Sequence, residues 1–246
     1  MIHCYDDGLS SSAPRITEAF AVGCGGKVTK SQQYLGGDSF LWGSPHTWSS
    51  VIKPAMKSGS RWFYSDHLYF GKRFNIFRIT KNAMQHSGKG RSNGKRLKKF
   101  NLNFHNWKKG KHIVVCPPDT IFSRLMGFNA EEWVNTTKLI LEKNTDRKII
   151  WRDRLNITKP LEHDLQDAHA LITYTSNSAV EALLHGVPVF CNGRCAGQSM
   201  GQIDFSKIET PKYPNDRRRW AGVLADNQWT LEEIKNGLAW KKLNKG

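Results

Sequence analysis

The stretch from residue 170 to residue 192, ALITYTSNSAVEALLHGVPVFCN, constrains the fold more than any other part of this sequence. An apolar run stops at three small polar residues, 176–178. A helical pattern follows, and Gly186 and Pro188 end it, as is typical just past a helix C-terminus. A second apolar run closes the stretch. This order predicts a strand, a helix and a second strand in one parallel sheet.

The polar turn in this stretch has two interpretations. Ligands of open α/β sheets bind beyond the carboxyl ends of the strands, and free N–H groups at the start of a helix favour phosphate. Ser176, Asn177 and Ser178 are therefore a predicted phosphate or ribose site. Ser178 and Glu181 also form the S-x-x-E spacing of a capping box, which needs no ligand. Spacing alone leaves both interpretations open.

A second predicted strand, Lys148–Trp151, ends at Arg152. If the two strands are neighbours, the Arg152 guanidinium lies beside the serine turn, where arginine can grip a phosphate with two hydrogen bonds. Glu181 lies one turn into the helix and is placed to accept from ribose hydroxyls. A surface ion pair of Arg152 with Asp153 or Glu162 is the competing explanation.

Alternating strand and helix patterns predict an α/β protein with two doubly wound, Rossmann-like lobes, parallel sheets and C-terminal helices. We expect lobes at 1–110 and 111–213, with the C-terminal helices at 214–246. The predicted strands are 19–24, 39–42, 62–65, 74–79, 112–116, 148–151, 170–175 and 187–191. The predicted helices are 48–56, 130–142, 161–167, 178–185, 215–225 and 231–243, and Thr230 is expected to cap the last.

The sequence predicts a cytoplasmic protein without stable membrane insertion. Its start has no apolar signal-peptide core, and no apolar run approaches the length of a membrane span. The five cysteines lack a zinc pattern, since Cys191 and Cys195 are spaced C-x-x-x-C without a second pair. His46 and His67 do not form a recognisable metal motif either. We therefore expect reduced thiols and no metal site.

The positive charge, +16 at pH 7, is concentrated in one region. There is no acidic residue between Asp66 and Asp119, and the segment 89–111 is the most basic part of this interval. Lysine and arginine neutralise phosphates and aromatic rings stack on bases, so the segment predicts a nucleic-acid surface. Its predicted contact residues are Lys89, Arg91, Lys95, Arg96, Lys98, Lys99, Trp107, Lys108 and Lys109. A solvated basic loop, an acidic membrane and a small anion remain alternatives.

Two further candidates rest on weaker signals. Asp66 follows the predicted strand 62–65 and is placed as a general base, although an Asx turn explains it as well. Gly25 lies in VGCGG after the predicted strand 19–24, where glycine permits close approach of a ligand. A simple turn is the alternative for Gly25, because the full G-x-G-x-x-G spacing is absent.

The segment TSNSAVEALLHGVPVF resembles the donor-binding unit of GT-B-type glycosyltransferases. More narrowly, it is similar to short capsule-polysaccharide-like transferases of bacteria and phages. WAGVLADNQWTLEEIKNGLAW and WFYSDHLYFGK also resemble segments of such phage proteins. The resemblance implies two Rossmann-like lobes with a nucleotide-sugar between them, residues 1–110 on the acceptor side and 111–213 on the donor side.

The resemblance also implies roles for individual residues. Ser176, Asn177 and Ser178 would hold the donor diphosphate, and Gly25 is a further expected donor contact. Arg152 would bind phosphate and Glu181 the ribose, while Asp66 would deprotonate the acceptor if the enzyme inverts. No cofactor is required, and a UDP-sugar is the expected donor. Nucleotide-sugar epimerases share this fold and a similar serine–helix–glutamate pattern, so the reaction stays open.

Three functional hypotheses follow. The first is transfer of a sugar to DNA, at a hydroxymethylated base of phage DNA that leaves the base stack to reach the enzyme. The second is the same chemistry in the synthesis of a cell-surface polysaccharide. The third is a non-catalytic nucleic-acid-binding protein on a degenerate transferase fold. The sequence does not distinguish the sugar, the nucleotide, the stereochemistry or the oligomeric state.

Overall fold

The computed structural model describes residues 1–6, 8, 13–43, 48–71, 75–152 and 159–245, without the side chains of Trp48 and Leu125. His46, Asp153 and the start of the predicted strand at 74 lie outside these residues. The chain divides into two compact units. Unit 1 is Met1–His86 with Asp226–Gly246, and unit 2 is Ser87–Ala225.

The strands, in chain order, are β1 Ile2–Tyr5, β2 Lys27–Thr29, β3 Asp38–Trp42, β4 Trp62–His67, β5 Ile76–Lys81, β6 His112–Cys116, β7 Lys148–Trp151, β8 Ala168–Thr173, β9 Val189–Cys191 and β10 Gln228–Thr230. The α-helices are α1 Ala13–Cys24, α2 Lys53–Lys57, α3 Thr120–Met126, α4 Ala130–Asn144, α5 Leu161–Leu165, α6 Ser178–Leu184, α7 Arg217–Ala225, α8 Leu231–Lys235 and α9 Leu238–Leu243. A π-helical turn, Trp48–Ile52, precedes α2.

Unit 1 is built on a mixed sheet with the strand order β10-β5-β4-β3-β1-β2. The four strands β1 to β4 pair in parallel, while β5 runs antiparallel to both β4 and β10. Its core is aromatic: Phe20 of α1 stacks on Phe40 of β3 at 4.0 Å between ring centroids. Phe63 of β4 lies beside Phe20 at 5.8 Å. The helix α1 thus covers one face of this sheet.

Unit 2 is built on a fully parallel sheet with the order β7-β6-β8-β9. Its strands are aliphatic and its two central strands are buried, as expected where helices cover both faces. In this order β7 lies next to β6 on one side of the central pair β6–β8, and β9 lies next to β8 on the other side. The connections from β6 to β7 and from β8 to β9 therefore run in opposite directions across the sheet. The carboxyl ends of β6 and β8 therefore form a topological switch point, where open α/β sheets bind ligands.

The predicted strand at 19–24 is wrong, because these residues form the second half of α1. Ile16, Ala19 and Phe20 are buried whereas Val22 is 63% exposed, which is helical periodicity rather than strand alternation. Gly25 follows α1 with φ at 67°, a left-handed conformation that commonly ends helices. The turn interpretation of this glycine therefore accounts for its position.

The two units divide the chain differently from the predicted lobes. The basic segment 89–111 belongs to unit 2 rather than to the N-terminal lobe, and Arg96 donates from Nε to the Ala225 carbonyl at 3.3 Å. Helix α7 also lies in unit 2, whereas α8 and α9 return to unit 1. Gly237 separates these last two helices, which were predicted as one. The predicted cap at Thr230 is confirmed: it forms a capping box with Glu233.

Candidate functional site

The carboxyl edge of the unit 2 sheet brings several predicted residues together. Cys116 ends β6, Arg152 follows β7, and residues 174–177 connect β8 to α6. Since the neighbouring strands are parallel, all these ends meet at one edge of the sheet. The strands that precede Arg152 and the serine turn are not direct neighbours, because β6 lies between them. The juxtaposition of Arg152 with the serine turn therefore stays a prediction.

A series of hydrogen bonds fixes the serine turn on the end of β6. Thr173 donates from Oγ1 to the Cys116 carbonyl at 2.8 Å and accepts from the Ser176 N–H at 3.3 Å. Ser176 in turn accepts through Oγ from the Ser178 N–H at 3.2 Å. The turn is therefore held by the buried Thr173 and the partly buried Ser176 before any ligand arrives, which is preorganisation of the kind that binding sites use.

Cys116 lies at the centre of this edge, and no local sequence pattern indicates that position. Burial raises the pKa of its thiol, while the nearby Ser178 hydroxyl and the charge of Arg152 oppose that rise. Glu181 and Asp164 act in the same direction as burial and also raise the pKa of Cys116. The pKa of the Cys116 thiol thus depends on two of the predicted phosphate contacts, Ser178 and Arg152, and on the predicted ribose contact, Glu181.

Arg152 is held at this edge by three interactions. Its backbone N–H donates to the Val115 carbonyl at 2.8 Å. Its guanidinium forms an ion pair with Asp164 of α5 and donates to the Lys159 carbonyl at 2.9 Å. Among the described residues its ion-pair partner is Asp164 rather than the predicted Glu162, and Asp153 lies outside these residues. The guanidinium has five N–H donors, and its contacts with Asp164 and Lys159 leave other N–H groups that can bind a ligand.

The capping box predicted for α6 is wrong. Asn177 is the N-cap residue and makes no side-chain capping bond to the helix, and Ser178 is already the first helical residue. Glu181 is exposed on the same helix. Ser176 Oγ takes part in a local hydrogen bond at the start of α6, whereas the buried Ser178 Oγ makes no hydrogen bond to any of the described residues. The ligand interpretation of the serine turn stays a prediction.

Asp66, the predicted base, is engaged in a cross-strand ion pair in unit 1. It lies opposite Arg78 in the β4–β5 pairing, and its carboxylate accepts from the Arg78 guanidinium at 2.5 Å. Arg78 is buried, with its side chain 6% exposed. Burial lowers the pKa of the Arg78 guanidinium, but the charge of Asp66 and its hydrogen bond help to raise that pKa above the ordinary value. A buried guanidinium needs its counter-ion, so the carboxylate has a structural task. Its catalytic role stays a prediction.

Gly25 lies away from the strand ends of unit 1. It precedes β2, and β2 runs parallel to β1, so Gly25 is at the amino edge of that sheet. The carboxyl edge, where ligands of such sheets bind, is at the other ends of these strands. A donor contact at Gly25 remains an untested prediction that this position does not favour.

The aromatic rings of the basic segment are used inside unit 2. The Arg217 guanidinium lies 4.0 Å above the ring of Trp107, and the Arg218 guanidinium lies 4.8 Å above Phe104. Both are cation–π contacts, so each ring already has one face against an arginine. Lys108 donates to the Leu165 carbonyl at 3.3 Å. The exposed predicted contacts are Lys89, Arg91, Lys95, Lys98, Lys99 and Lys109.

No cluster of three or more His, Cys, Asp or Glu side chains suited to a metal ion occurs within the described residues. In the same part of the chain, no helix combines the length and hydropathy needed to cross a membrane. The five cysteines are free thiols.

Two solved structures from Thermosulfurimonas dismutans share this fold. The KpsC β-Kdo 2,4-transferase is 13% identical with a TM-score of 0.52, over 91% of this chain and 89% of that chain. The KpsC β-Kdo 2,7-transferase is 14% identical with a TM-score of 0.54, over 98% and 99%. The predicted α/β fold with Rossmann-like sheets is confirmed. No protein-family model and no curated protein matches the sequence, and the narrower resemblance to phage transferases gains no support.

Proposed function

We propose that this chain is a glycosyltransferase that takes a sugar from a nucleotide-sugar and acts in the synthesis of a cell-surface polysaccharide. The observation that carries the proposal is the carboxyl edge of the unit 2 sheet. There the serine turn and Arg152 meet at a topological switch point, in a chain that shares the fold of two Kdo transferases. Fold alone does not assign function, so the chemistry of this edge is the stronger support.

The donor phosphates fit the groups at this edge. The Ser176 and Ser178 hydroxyls can donate to phosphate oxygens, and the Arg152 guanidinium supplies positive charge with its remaining N–H groups. Ser178 and Arg152 both influence the pKa of the Cys116 thiol, which supports a position of both groups around the end of β6. Glu181 is exposed one turn into α6 and is the proposed acceptor for ribose hydroxyls.

Sugar transfer from such a donor needs charge stabilisation above all. The acceptor hydroxyl oxygen forms a bond to the anomeric carbon, and the bond from that carbon to the phosphate oxygen breaks. The electron pair leaves with the nucleotide, and the acceptor proton passes to a base. Arg152 and the serine hydroxyls would stabilise the negative charge that develops on the leaving phosphate. We assign no proton transfer to Asp66, because protonation would remove the counter-ion of Arg78.

A polysaccharide acceptor is the better supported of the two acceptor classes. The case for DNA rests on the basic segment 89–111, and two of its aromatic rings lie against arginines instead of standing free for bases. The exposed lysines suit any polyanion. The solved structures with this fold are named as transferases of the sugar Kdo, and neither name mentions a nucleic acid.

The donor is tested by thermal unfolding of the full chain with nucleotides and nucleotide-sugars of uridine, guanosine and cytidine. A ligand at one hundred times its dissociation constant raises apparent stability by about 2.7 kcal/mol, so one nucleotide class is expected to raise the Tm clearly. A UDP-sugar is the expected class. If no nucleotide raises the Tm, the glycosyltransferase proposal is wrong.

The acceptor is tested with the donor that binds. Sugar transfer is measured to an acidic oligosaccharide, a neutral oligosaccharide and duplex DNA containing hydroxymethylated bases. Transfer to an oligosaccharide is the expected result. Transfer to DNA alone would restore the DNA-modification hypothesis, and DNA binding without any donor binding would indicate the non-catalytic hypothesis.

A further inference from the structure

The two cysteines of unit 1 lie in the same part of its core. Cys4 is on strand β1 and is completely buried. Cys24 is the last residue of α1, the helix that packs on β1, and it is only half-buried. Both side chains belong to the hydrophobic core between α1 and the sheet. The fold thus brings one buried thiol and one partly exposed thiol to the same interface.

Gly26 brings the end of α1 close to β1. A Cβ atom at Gly26 would lie 2.9 Å from Sγ of Cys24 and 3.3 Å from Cβ of Ile2, so these two atoms border the same small space. Ile2 and Cys4 are on the same face of β1, because side chains alternate along a strand, and both are part of the core beneath α1. The Cys24 Sγ atom, which also contacts the Ala21 carbonyl at 3.7 Å, therefore lies over the face of β1 that carries Cys4.

The two thiols affect each other's protonation. The nearby Cys4 thiol is the main cause of a lowered pKa at Cys24, and the Gly26 N–H lowers it further against the effect of burial. The pKa of Cys4 is raised, first by Cys24 and then by burial. Cys24 is therefore the thiol that ionises first. The thiolate is the form of cysteine that reacts with oxidants, and exposure together with a lowered pKa favours that reaction.

Unit 2 contains a second pair of thiols, which is an internal comparison for the first. Cys191 ends β9 and Cys195 lies four positions later, and both are completely buried. They also shift each other's pKa, upward at Cys191 and downward at Cys195. Proximity is therefore common to both pairs. Exposure distinguishes them, because Cys24 is the one member of the two pairs that is not buried.

We propose that Cys4 and Cys24 are a modification site at which a peroxide forms a disulfide. The Cys24 thiolate attacks one oxygen of hydrogen peroxide, the O–O bond breaks, and hydroxide leaves Cys24 as a sulfenic acid. The Cys4 sulfur then attacks the sulfenic sulfur, the S–O bond breaks, and the sulfenic hydroxyl leaves with the Cys4 proton as water. The hydroxide takes the proton that Cys24 lost. The two thiols are thus oxidised to one disulfide, and the peroxide is reduced to water.

The test is peptide mapping by mass spectrometry after treatment of the full chain with hydrogen peroxide in the absence of a reducing agent. A peptide pair that joins Cys4 to Cys24 is expected, and dithiothreitol should remove it. Cys191 and Cys195 are expected to stay reduced over the same time, because both are buried. If no link between Cys4 and Cys24 forms, or if the buried pair is oxidised at the same rate, the inference is wrong.

Single serine variants separate the roles of the two thiols. In Cys4→Ser, the reaction is expected to stop at the sulfenic acid of Cys24, which dimedone traps as a stable adduct. In Cys24→Ser, Cys4 is expected to stay reduced, because it is buried. Cys191→Ser is the matched control: it removes one thiol of the buried pair and should leave the link between Cys4 and Cys24 intact. Equal oxidation of Cys4 with and without Cys24 would contradict the proposed order of attack.

The stability of the oxidised chain shows whether the disulfide fits the native fold. A disulfide of suitable geometry restricts the unfolded chain and stabilises the folded one. The oxidised chain is therefore expected to unfold at a higher urea concentration than the reduced chain, and peroxide should not raise this midpoint in Cys24→Ser. An equal or lower midpoint in the oxidised natural chain would show that the link requires a distorted fold and would overturn the inference. None of these measurements depends on nucleotide or sugar binding.

Discussion

The two sheets provide the partner of a charged strand-end residue in different ways. In unit 1, Asp66 near the end of β4 pairs with Arg78, because the antiparallel neighbour β5 places that arginine directly opposite. In unit 2, Arg152 follows a strand with a parallel neighbour, so the other groups at its level are further strand ends, and its counter-ion Asp164 comes from helix α5. An antiparallel neighbour supplies a counter-ion from within the sheet, whereas parallel neighbours gather polar groups at one edge.

The largest expected effect tests the unit 1 half of this comparison. Asp66→Asn leaves the Arg78 guanidinium buried without a counter-ion, which typically costs 3–5 kcal/mol. Because the Asp66 side chain is 28% exposed, we expect a loss near the lower end, about 3 kcal/mol, in the free energy of unfolding measured with urea.

Asp38→Asn is the matched control for that variant. Asp38 pairs with Arg61, whose side chain is 39% exposed, so the loss is expected to be about 1 kcal/mol or less. If Asp66→Asn instead abolishes sugar transfer while the free energy of unfolding is unchanged, Asp66 is a base rather than a counter-ion.

The next effect tests the unit 2 half. Ser178→Ala removes a hydroxyl that faces Cys116 and the proposed donor phosphate, and hydrogen bonds to charged groups contribute about 1.5–3 kcal/mol. The dissociation constant of the donor nucleotide, measured by titration, is therefore expected to rise at least tenfold.

Ser206→Ala is the control for the serine turn. Ser206 is exposed, and it lies close to Ile208 in the chain. The Ile208 carbonyl accepts from His169 near the amino end of β8, so Ser206 lies away from the carboxyl edge of the sheet. Nucleotide affinity is expected to be unchanged. If both serine variants weaken binding alike, the donor does not bind at the carboxyl edge.

Removal of a helix cap is expected to have a smaller effect, and each cap tests a part of one unit that the local sequence encodes. Thr230→Ala removes the capping box of α8 and is expected to cost about 1 kcal/mol in unit 1. Asp119→Ala removes the carboxylate that accepts from the Ile121 and Phe122 N–H groups at the start of α3, with a similar cost in unit 2. Hydrogen exchange should locate each loss in its own unit, and a loss spread equally over both would contradict this assignment.

The smallest effect is a dependence of stability on pH in unit 2. Burial lowers the pKa of His169, and the charge of Arg147 lowers it further. The unfolded chain therefore binds the proton more readily, so this contribution to stability is present above about pH 6.5 and is lost as the pH falls through the lowered pKa. Urea unfolding at pH 7.5 and 5.5 should show a smaller loss in His169→Gln than in the natural chain.

The sequence predicted the sheet of unit 2 more completely than that of unit 1. Buried parallel strands appear as continuous aliphatic runs, so β6, β7 and β8 were evident. The short strand β2 and the helix α1 were not, because Ala19 and Phe20 suit either structure until their burial is known. Local patterns also placed Arg152 and the serine turn at strand ends.

Long-range pairings could not be predicted from local patterns. The partner of Arg152 is Asp164, and the partner of Asp66 is Arg78, and each is twelve residues away in a different element. Gly88 offered only the composition of a linker, since its contact with Trp220 depends on a helix far along the chain. Such contacts depend on the strand order and on which elements share a unit.

Unit 1 is assembled from both ends of the described chain, with unit 2 continuous between them. During synthesis, residues 87–225 can therefore complete their sheet while β5 still lacks its outer neighbour β10. Until residues 228–230 leave the ribosome, β5 exposes unpaired backbone groups that can pair with another nascent chain. We therefore expect truncation before β10 to cause aggregation through unit 1 rather than misfolding of unit 2.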